Sequence, residues 1–294
     1  MLWPLEKSNM NYIFEPVNVR QLKQLLNKQD IKNLIVGIEK LTSGNKLKLT
    51  TIELNKILEK TDKVSIDITR IFHEDELEIL EDTLKEINLE KVNFVFYSDL
   101  GVYETLVKLG FSNKAVYDAY TYLTNREDVL LYSKFNKYVV VANQISVDEM
   151  SELVSNANIP VMIHSFGRSI IFYSKRELLT NYFRYRKSNN NPKEDNYFLK
   201  EEFREDLYPI YEDEHGTYVY EYGYYYLFEE LAEFDNVEYA IIHSTLLTPK
   251  KYKKVINAYL NNDLDSLKKL DLPLYKGIME NKSVLLKSEV TNNE

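Results

Sequence analysis

The chain of 294 residues contains no cysteine. Disulfide bonds, thiolate catalysis, and zinc or iron–sulfur sites with cysteine ligands are therefore excluded. No apolar run approaches the roughly 20 residues that a membrane-spanning helix needs. The first residues, Met1 to Lys7, also lack the apolar core of a signal peptide. These absences predict a cytoplasmic protein that has no membrane partner.

Positive charge is in short supply, with 37 lysines and arginines against 46 acidic residues and a net charge of −9. The surface as a whole should repel nucleic acid, so any RNA contact requires a local basic patch. Tyrosine, by contrast, is abundant at 24 residues. Each ring joins an apolar body to a polar tip, which suits both half-buried packing and stacking on bases.

Eight apolar runs with the character of strands alternate with helical stretches along the chain. The strands are expected at 11–17, 34–38, 63–68, 92–97, 115–117, 138–142, 160–163 and 237–242. Because alternation of this kind produces a parallel sheet, the fold class is α/β. Eight repeats favour a (β/α)₈ TIM-like barrel, regular or irregular, over a doubly wound open sheet.

The barrel is predicted to form one domain over residues 11–286, after a lead-in at 1–10 and before a disordered tail at 287–294. A loop and β-hairpin insertion is predicted at 187–222. The hairpin strands are expected at 208–211 and 217–221, on either side of the turn at Asp213 to Gly216. A helix is predicted at 225–234.

The most informative stretch runs from Ile159 to Arg186. A buried strand is followed by a glycine turn at Gly167 and a second apolar run that ends at Ser174. Ser174 and Glu177 have the spacing of a capping box, which predicts a helix from Lys175 to Arg186. That helix interleaves cations with aromatic rings.

Such a helix has a functional interpretation, in which its cations pair with a phosphate or carboxylate while its rings stack on a base. An amphipathic helix whose charges simply face water is an equal alternative. The predicted substrate-binding residues are Lys175, Arg176, Asn181, Tyr182, Arg184 and Arg186.

In a barrel of this type the site lies at the carboxyl ends of the strands. The polar residues expected there are Glu39, Asp67, Thr69, Asp99, Asp118, Asn143, Gln144, His164 and His243. His164 and Asp99 are the catalytic candidates, although polar residues after strands more often cap helices and form turns. The two histidines and two carboxylates lack any metal-binding spacing, so no metal is predicted. A Ser-His-Asp triad lacks its Gly-x-Ser-x-Gly turn.

The same stretch resembles the signature of the peptidase U32 (collagenase-like protease) family. The resemblance lies in Phe166-Gly167, in Ser174-Lys175-Arg176 and in Asn181-Tyr182-Phe183, and it extends more weakly from Tyr12 to Leu260. Further similar segments are Phe72 to Leu77, Ser98 to Val102, and Tyr208 to Thr217.

The resemblance independently implies a barrel, and it implies either RNA-related or proteolytic chemistry. Many relatives hold an iron–sulfur cluster through four cysteines, but here Ile170 stands in the position of the signature cysteine. Asn143-Gln144 replaces the usual Arg-Glu pair, and Thr69 replaces an asparagine. No cofactor is therefore expected.

Three roles are compatible with this pattern. The first is a cluster-free RNA- or partner-binding subunit, similar to the short family form that acts beside a longer paralogue in wobble-uridine hydroxylation of transfer RNA. The second is a collagenase-like peptidase that acts at the barrel mouth, and the third is a structural or interaction role. Whether the chain is an enzyme is left open by the sequence.

Overall fold

The computed structural model describes residues 10–193, 197–203, 205–276 and 279. The predicted lead-in up to residue 9 and the predicted tail at 287–294 lie outside these residues. None of the described helices is long and apolar enough to cross a membrane.

The described strands and helices follow one another in a largely alternating order. The strands are β1 Asn11–Phe14, β2 Asn33–Ile38, β3 Lys48–Leu49, β4 Val64–Ile68, β5 Val95–Tyr97, β6 Ala115–Tyr117, β7 Tyr138–Val141, β8 Val161–Gly167, β9 Ile170–Ser174, β10 Tyr197–Lys200, β11 Leu207–Asp213, β12 Gly216–Tyr220, β13 Tyr224–Tyr226, β14 Val237–Ile242 and β15 Leu274–Tyr275. The α-helices are α1 Val19–Leu26, α2 Thr51–Leu58, α3 Leu77–Lys85, α4 Leu100–Leu109, α5 Arg126–Tyr132, α6 Val147–Ser155, α7 Leu178–Tyr185, α8 Pro249–Asn261 and α9 Leu264–Lys268.

Eight parallel strands form a closed ring. Strands β1, β2, β4, β5, β6, β7 and β8 pair in that order, and β14 pairs in parallel with both β8 and β1. The predicted (β/α)₈ barrel is therefore confirmed, because the doubly wound alternative would leave two open sheet edges. Each strand of the ring falls on one of the eight predicted apolar runs.

Side chains of the ring alternate between the barrel interior and the surrounding helices. The interior holds one apolar cluster made of Ile13, Ile35, Phe96, Val116, Tyr138, Val140, Met162 and Ile241. The outward residues pack under the helices in a larger core. Beyond the interior cluster, the next inward-facing side chains lie at the carboxyl ends of the strands.

Several helix ends follow from local sequence. Asn18 caps α1 through its side chain, and Ser146 forms a capping box with Glu149 at the start of α6. Gly110 ends α4 in the left-handed conformation, with φ of 82°, which glycine adopts without steric cost. These caps need only residues that are near neighbours along the chain.

A second sheet is inserted between β8 and β14. It is antiparallel and has the strand order β10, β11, β12, β9. The predicted hairpin is present as β11 and β12, which turn tightly at Glu214 and His215.

The prediction of a helix at 225–234 is wrong. Residues Tyr224–Tyr226 form β13, which pairs antiparallel with β8 at Phe166 and Gly167. Only a short 3₁₀ turn, Glu230–Ala232, follows it. Consecutive aromatic residues pack well on a pleated surface, and pairing with β8 overrides their weak helical pattern.

Candidate functional site

A polar layer lies directly above the apolar interior of the barrel. Glu15, Asp118, His164 and His243 each stand two residues beyond a member of the interior cluster, on the same inward face. All four side chains belong to buried residues that are at most 6% exposed. The carboxyl end of the barrel therefore carries a buried group of ionisable side chains.

These four side chains form one chain of hydrogen bonds. Glu15 Oε2 lies 3.0 Å from His243 Nδ1, and His243 Nε2 lies 2.8 Å from His164 Nδ1. His164 Nε2 lies 3.1 Å from Asp118 Oδ1. We call this arrangement the histidine relay.

The hydrogen bonds of the relay determine how many hydrogens the ring nitrogens of His164 and His243 carry. Each ionised carboxylate only accepts, so His243 Nδ1 and His164 Nε2 must both carry hydrogens. The bond between the two rings holds one further hydrogen. Three hydrogens on four ring nitrogens mean that the pair carries one positive charge, because two neutral imidazoles hold only two.

The pKa values agree with this count. Burial by itself would raise the pKa of Glu15, but the hydrogen bond and charge of His243 outweigh it and lower the pKa to about 2. Burial likewise opposes ionisation of Asp118, yet the charge of His164 lowers its pKa. Burial lowers the pKa of His243 itself.

A second ion pair flanks the relay. Lys46 forms a salt bridge with Asp67 and also donates to the hydroxyl of Tyr120 at 3.1 Å. Burial would lower the pKa of Lys46, but the Asp67 charge outweighs it and raises the pKa well above the usual value. The Tyr120 ring stacks on His164 at 4.7 Å between centroids and 6° between planes. This contact places an aromatic face against one ring of the relay.

Tyr120 adopts φ of 60°, a left-handed conformation that is costly for a bulky residue. Its backbone N–H donates to Asp118 Oδ1 at 3.3 Å, so the carboxylate that ends the relay also holds this turn. The strained backbone thus keeps the Tyr120 ring over His164. Backbone strain of this kind is common at functional sites.

The relay does not have the geometry of a nucleophilic triad. Every ring nitrogen of His164 and His243 is already hydrogen-bonded to another relay member. In the described part of the chain, no serine or threonine hydroxyl is bonded to either ring. Ser165 instead donates to the carbonyl of Leu227, and Ser169 accepts from Asn143.

Of the nine residues predicted at the mouth, five are joined in this network. Asp118, His164 and His243 are relay members, and Asp67 holds Lys46. The hydroxyl of Thr69 donates to Asp67. The other four predicted mouth residues lie elsewhere or contact other groups: Glu39, Asp99, Asn143 and Gln144.

Asp99, one of the two catalytic candidates, is a helix cap. Its Oδ1 accepts from the N–H of Gly101 at 2.8 Å, at the start of α4. Its Oδ2 accepts from the N–H of Phe72 at 2.9 Å, which ties down the loop after β4. The carboxylate bonded to His164 is Asp118 rather than Asp99.

The remaining three differ in exposure. Asn143 is buried and donates to Ser169 Oγ at 3.2 Å. Gln144 is half-buried, and Glu39 is exposed beside a polar cavity that Lys46 also lines.

Sequence reasoning missed Glu15, Lys46 and Tyr120. Glu15 was predicted to lie inside a strand, although its spacing of two from Ile13 marks the same inward face. Lys46 lies in a loop without any pattern, and only the fold brings it to Asp67. Tyr120 was detectable only as a neighbour of Asp118.

The small antiparallel sheet is fastened to the carboxyl side of the barrel. Asp213 accepts from the N–H of Gly44 at 2.9 Å and from Lys48 Nζ at 3.0 Å. The hydroxyl of Tyr220 accepts from the N–H of Asn45 at 3.3 Å. These bonds hold the sheet against the loop that carries Lys46.

Helix α7 packs on the opposite face of that sheet. Its apolar residues Leu179 and Phe183 contact Ile210 and Val219, which are directly paired across β11 and β12. The next paired residues along these strands face the other way, toward the barrel. The basic-aromatic helix is therefore separated from the histidine relay by the sheet.

The capping box predicted at Ser174 is wrong, because α7 begins at Leu178. The buried carboxylate of Glu212 accepts from the backbone N–H groups of Leu179 at 2.7 Å and of Thr180 at 3.1 Å. The hydroxyl of Thr217 also donates to it, at 2.9 Å. A carboxylate from the hairpin thus satisfies the free amides of the helix.

The predicted substrate-binding residues mostly lie on the outer surface of this region. Arg176, Asn181, Tyr182, Arg184 and Arg186 are exposed, with Tyr182 at 56%. The three arginines make no ion pair with a described residue. The sixth predicted residue differs: Lys175 is half-buried and bridges to Glu76 on the barrel.

The residues present do not fit an iron–sulfur cluster. Ile170, in the position of the signature cysteine, begins β9 and pairs with Tyr220. The chain offers no thiolate, which is the ligand that such clusters require. Among the described residues, the one group with metal-like spacing is His73, Asp75 and Glu76, and Glu76 is held by Arg70 and Lys175.

The sequence profile of Peptidase family U32 matches residues 19–271. The chain belongs to peptidase family U32. The match spans most of the chain. The collagenase-like resemblance of the signature stretch thus reflects family membership.

The chain is also similar to three other proteins, in sequence to the first and in structure to the other two. The chain is 36% identical over 84 residues to the tRNA hydroxylation protein P2 of Bacillus subtilis (strain 168), a stretch that spans 27% of each protein. The U32 peptidase Mk0906 aligns over 83% of this chain and 96% of its own, with 13% identity and a TM-score of 0.48. The tryptophan synthase alpha chain of Legionella pneumophila subsp. pneumophila aligns over 89% and 92%, with 11% identity and a TM-score of 0.43.

Proposed function

We propose that this U32 protein is a cluster-free subunit that binds transfer RNA through α7 and acts in uridine hydroxylation. One observation carries the proposal. Arg176, Arg184 and Arg186 are exposed and make no ion pair with a described residue, in a chain whose net charge is −9. Unpaired guanidinium groups are the donors best suited to phosphate oxygens.

The name of the Bacillus subtilis relative supports the choice of RNA. The similarity to it is restricted to 84 residues, 27% of that protein. Transfer RNA and the hydroxylation of its wobble uridine are therefore proposals for this chain. Because no thiolate is available, the redox step is assigned to a longer family member rather than to this subunit.

Binding of transfer RNA to the double variant Arg184→Glu/Arg186→Glu tests the proposal. We expect its affinity to fall at least about tenfold, because two phosphate contacts are replaced by repulsion. The slope of log affinity against log salt should fall by about 2, one for each lost contact. Fluorescence anisotropy with labelled transfer RNA, measured over a salt series, gives both quantities.

Lys56→Glu/Lys60→Glu is the matched control, since both lysines are exposed near the end of α2 and the net charge changes equally. It should retain nearly all of the affinity. Equal losses in the two variants would mean that only overall charge matters, and the proposal would be wrong. In cells, deletion of the gene should lower hydroxylated uridine in nucleoside mass spectrometry.

The peptidase alternative has less support. The histidine relay leaves no ring nitrogen of His164 or His243 to activate a nucleophile. Incubation of the purified protein with gelatin tests it directly. Cleavage that disappears in His164→Gln would favour a hydrolase over the RNA-binding role.

A further inference from the structure

An open groove of about 760 Å³ lies between α7 and the outer face of the small sheet. The helix contributes Leu178, Leu179, Tyr182 and Phe183. The rest of the lining is mostly apolar and aromatic, with Ile171, Phe172, Tyr197, Phe198, Leu199, Tyr208, Ile210 and Val219. Two carboxylates, Glu201 and Glu221, complete it. The groove thus adjoins the helix to which RNA binding is assigned.

One row of side chains crosses all four strands of the sheet. Phe172 pairs with Val219, Val219 with Ile210, and Ile210 with Tyr197, so these four share a face. The two central residues are covered by α7. The two aromatic residues at the ends of the row, Phe172 and Tyr197, line the groove.

Rings in the groove are unusually open. Phe172 is 48% exposed, Tyr182 56% and Phe198 53%. Aromatic side chains that stand on an antiparallel sheet beside a basic surface are a recurring way to stack unpaired RNA bases.

Positive charge accompanies these rings. Arg186 follows Tyr182 by four residues, which is the spacing of neighbours along one side of a helix. Arg184 is also exposed, but it lies two residues from Tyr182 and therefore on another side of the helix. Arg186 makes no ion pair with a described residue, so a base on Tyr182 would carry its phosphate toward this guanidinium group.

We infer that the groove binds unstacked bases of a single-stranded RNA loop, with the phosphate of the base on Tyr182 at Arg186. The inference rests on the proposed function and specifies which part of the RNA α7 recognises. Duplex RNA does not fit this role, because its bases are stacked within the helix and cannot lie flat on a protein ring. An acidic apolar protein segment is the competing occupant.

RNA hairpins that carry 2-aminopurine, a base whose fluorescence falls when it stacks, test the inference. With the probe in the loop, we expect strong quenching on binding; with the probe in the stem, we expect little change. Tyr182→Leu and Phe172→Leu keep apolar volume but remove a ring, and each should weaken loop binding about five- to thirtyfold.

Tyr122→Leu is the control, because Tyr122 is 71% exposed and lies outside the groove. It should leave both affinity and quenching unchanged. Circular dichroism of each variant checks that the fold is retained.

The possible results separate this inference from the proposed function. RNA that binds without quenching, or that binds the ring variants as tightly as the original protein, overturns the inference and leaves the proposed function standing. If the ring variants bind RNA normally but lose a co-purifying family member, the groove binds protein instead. Absence of any RNA binding overturns both.

Discussion

Two regions of the molecule use their charges in opposite ways. At the barrel mouth, Glu15, Asp118 and both relay histidines are buried and bonded to one another. On α7, Arg184 and Arg186 are exposed and make no ion pair with a described residue. Charges that satisfy one another inside a protein stabilise a particular arrangement, whereas unpaired charges outside remain available to a ligand. The effect of the buried charges on the stability of the protein can be measured.

The largest expected effect follows from breaking the buried set. Asp118→Asn leaves the positive charge of the histidine pair without its carboxylate, so we expect a loss of about 3–5 kcal/mol in the free energy of unfolding. Urea denaturation followed by circular dichroism measures the loss. Asp235→Asn, at an exposed position, should change stability by less than about 0.5 kcal/mol. Similar values for the two variants would mean that the relay carries no charge.

Acid should weaken the same region. Because the folded pKa of Glu15 lies near 2, below its ordinary 4.5, its contribution is fully present above pH 4.5 and disappears as pH falls through 2. The shift corresponds to about 3 kcal/mol. The lowered pKa of His243 acts in the same direction, since its stabilisation is present above pH 6.5 and declines below it.

Urea unfolding over a pH series measures this dependence. Glu15→Gln should flatten the acid part of the curve, because the substituted amide does not titrate. The charge-reversal variant of α7, Arg184→Glu/Arg186→Glu, should leave stability at neutral pH nearly unchanged. A steep acid slope that survives in Glu15→Gln would place its origin elsewhere in the molecule.

A smaller effect is expected where α7 meets the sheet. Glu212→Gln removes the charge that accepts from Leu179 and Thr180, so stability should fall by about 1–3 kcal/mol. Amide hydrogen exchange should accelerate mainly in α7. Ser174→Ala, at the residue that the sequence pattern marked as the cap, should cost less than about 0.5 kcal/mol. A larger loss of stability in Ser174→Ala than in Glu212→Gln would mean that Ser174, and not Glu212, caps the helix.

The contrast between Glu212 and Ser174 illustrates what sequence can and cannot predict. The eight strands of the ring were predicted correctly, and caps such as those at Asn18 and Ser146 also depend only on neighbours within four residues. The cap of α7 comes from a residue 33 positions away, so no local pattern contains it. Ser174 has the local pattern of a cap, but the buried carboxylate of Glu212 accepts from the helix amides instead.

The candidate site divides in the same way. Asp118, His164 and His243 follow apolar strands, so their position at the mouth could be predicted. Their partners could not, because Glu15 lies 228 positions from His243 and Lys46 lies 21 from Asp67. The choice of Asp99 rather than Asp118 as a catalytic candidate had no physical basis in sequence, since the two carboxylates follow neighbouring strands.

The ring closure between β8 and β14 has a consequence for the order of folding. Glu15 follows β1, His243 follows β14 and His164 lies on β8, so the relay spans the seam between the first strand and the last. During synthesis, β14 emerges some 70 residues after β8, and until then the two halves of the relay have no bridge. The hydrogen bond between the two imidazoles can therefore form only when β14 has docked and the barrel is complete.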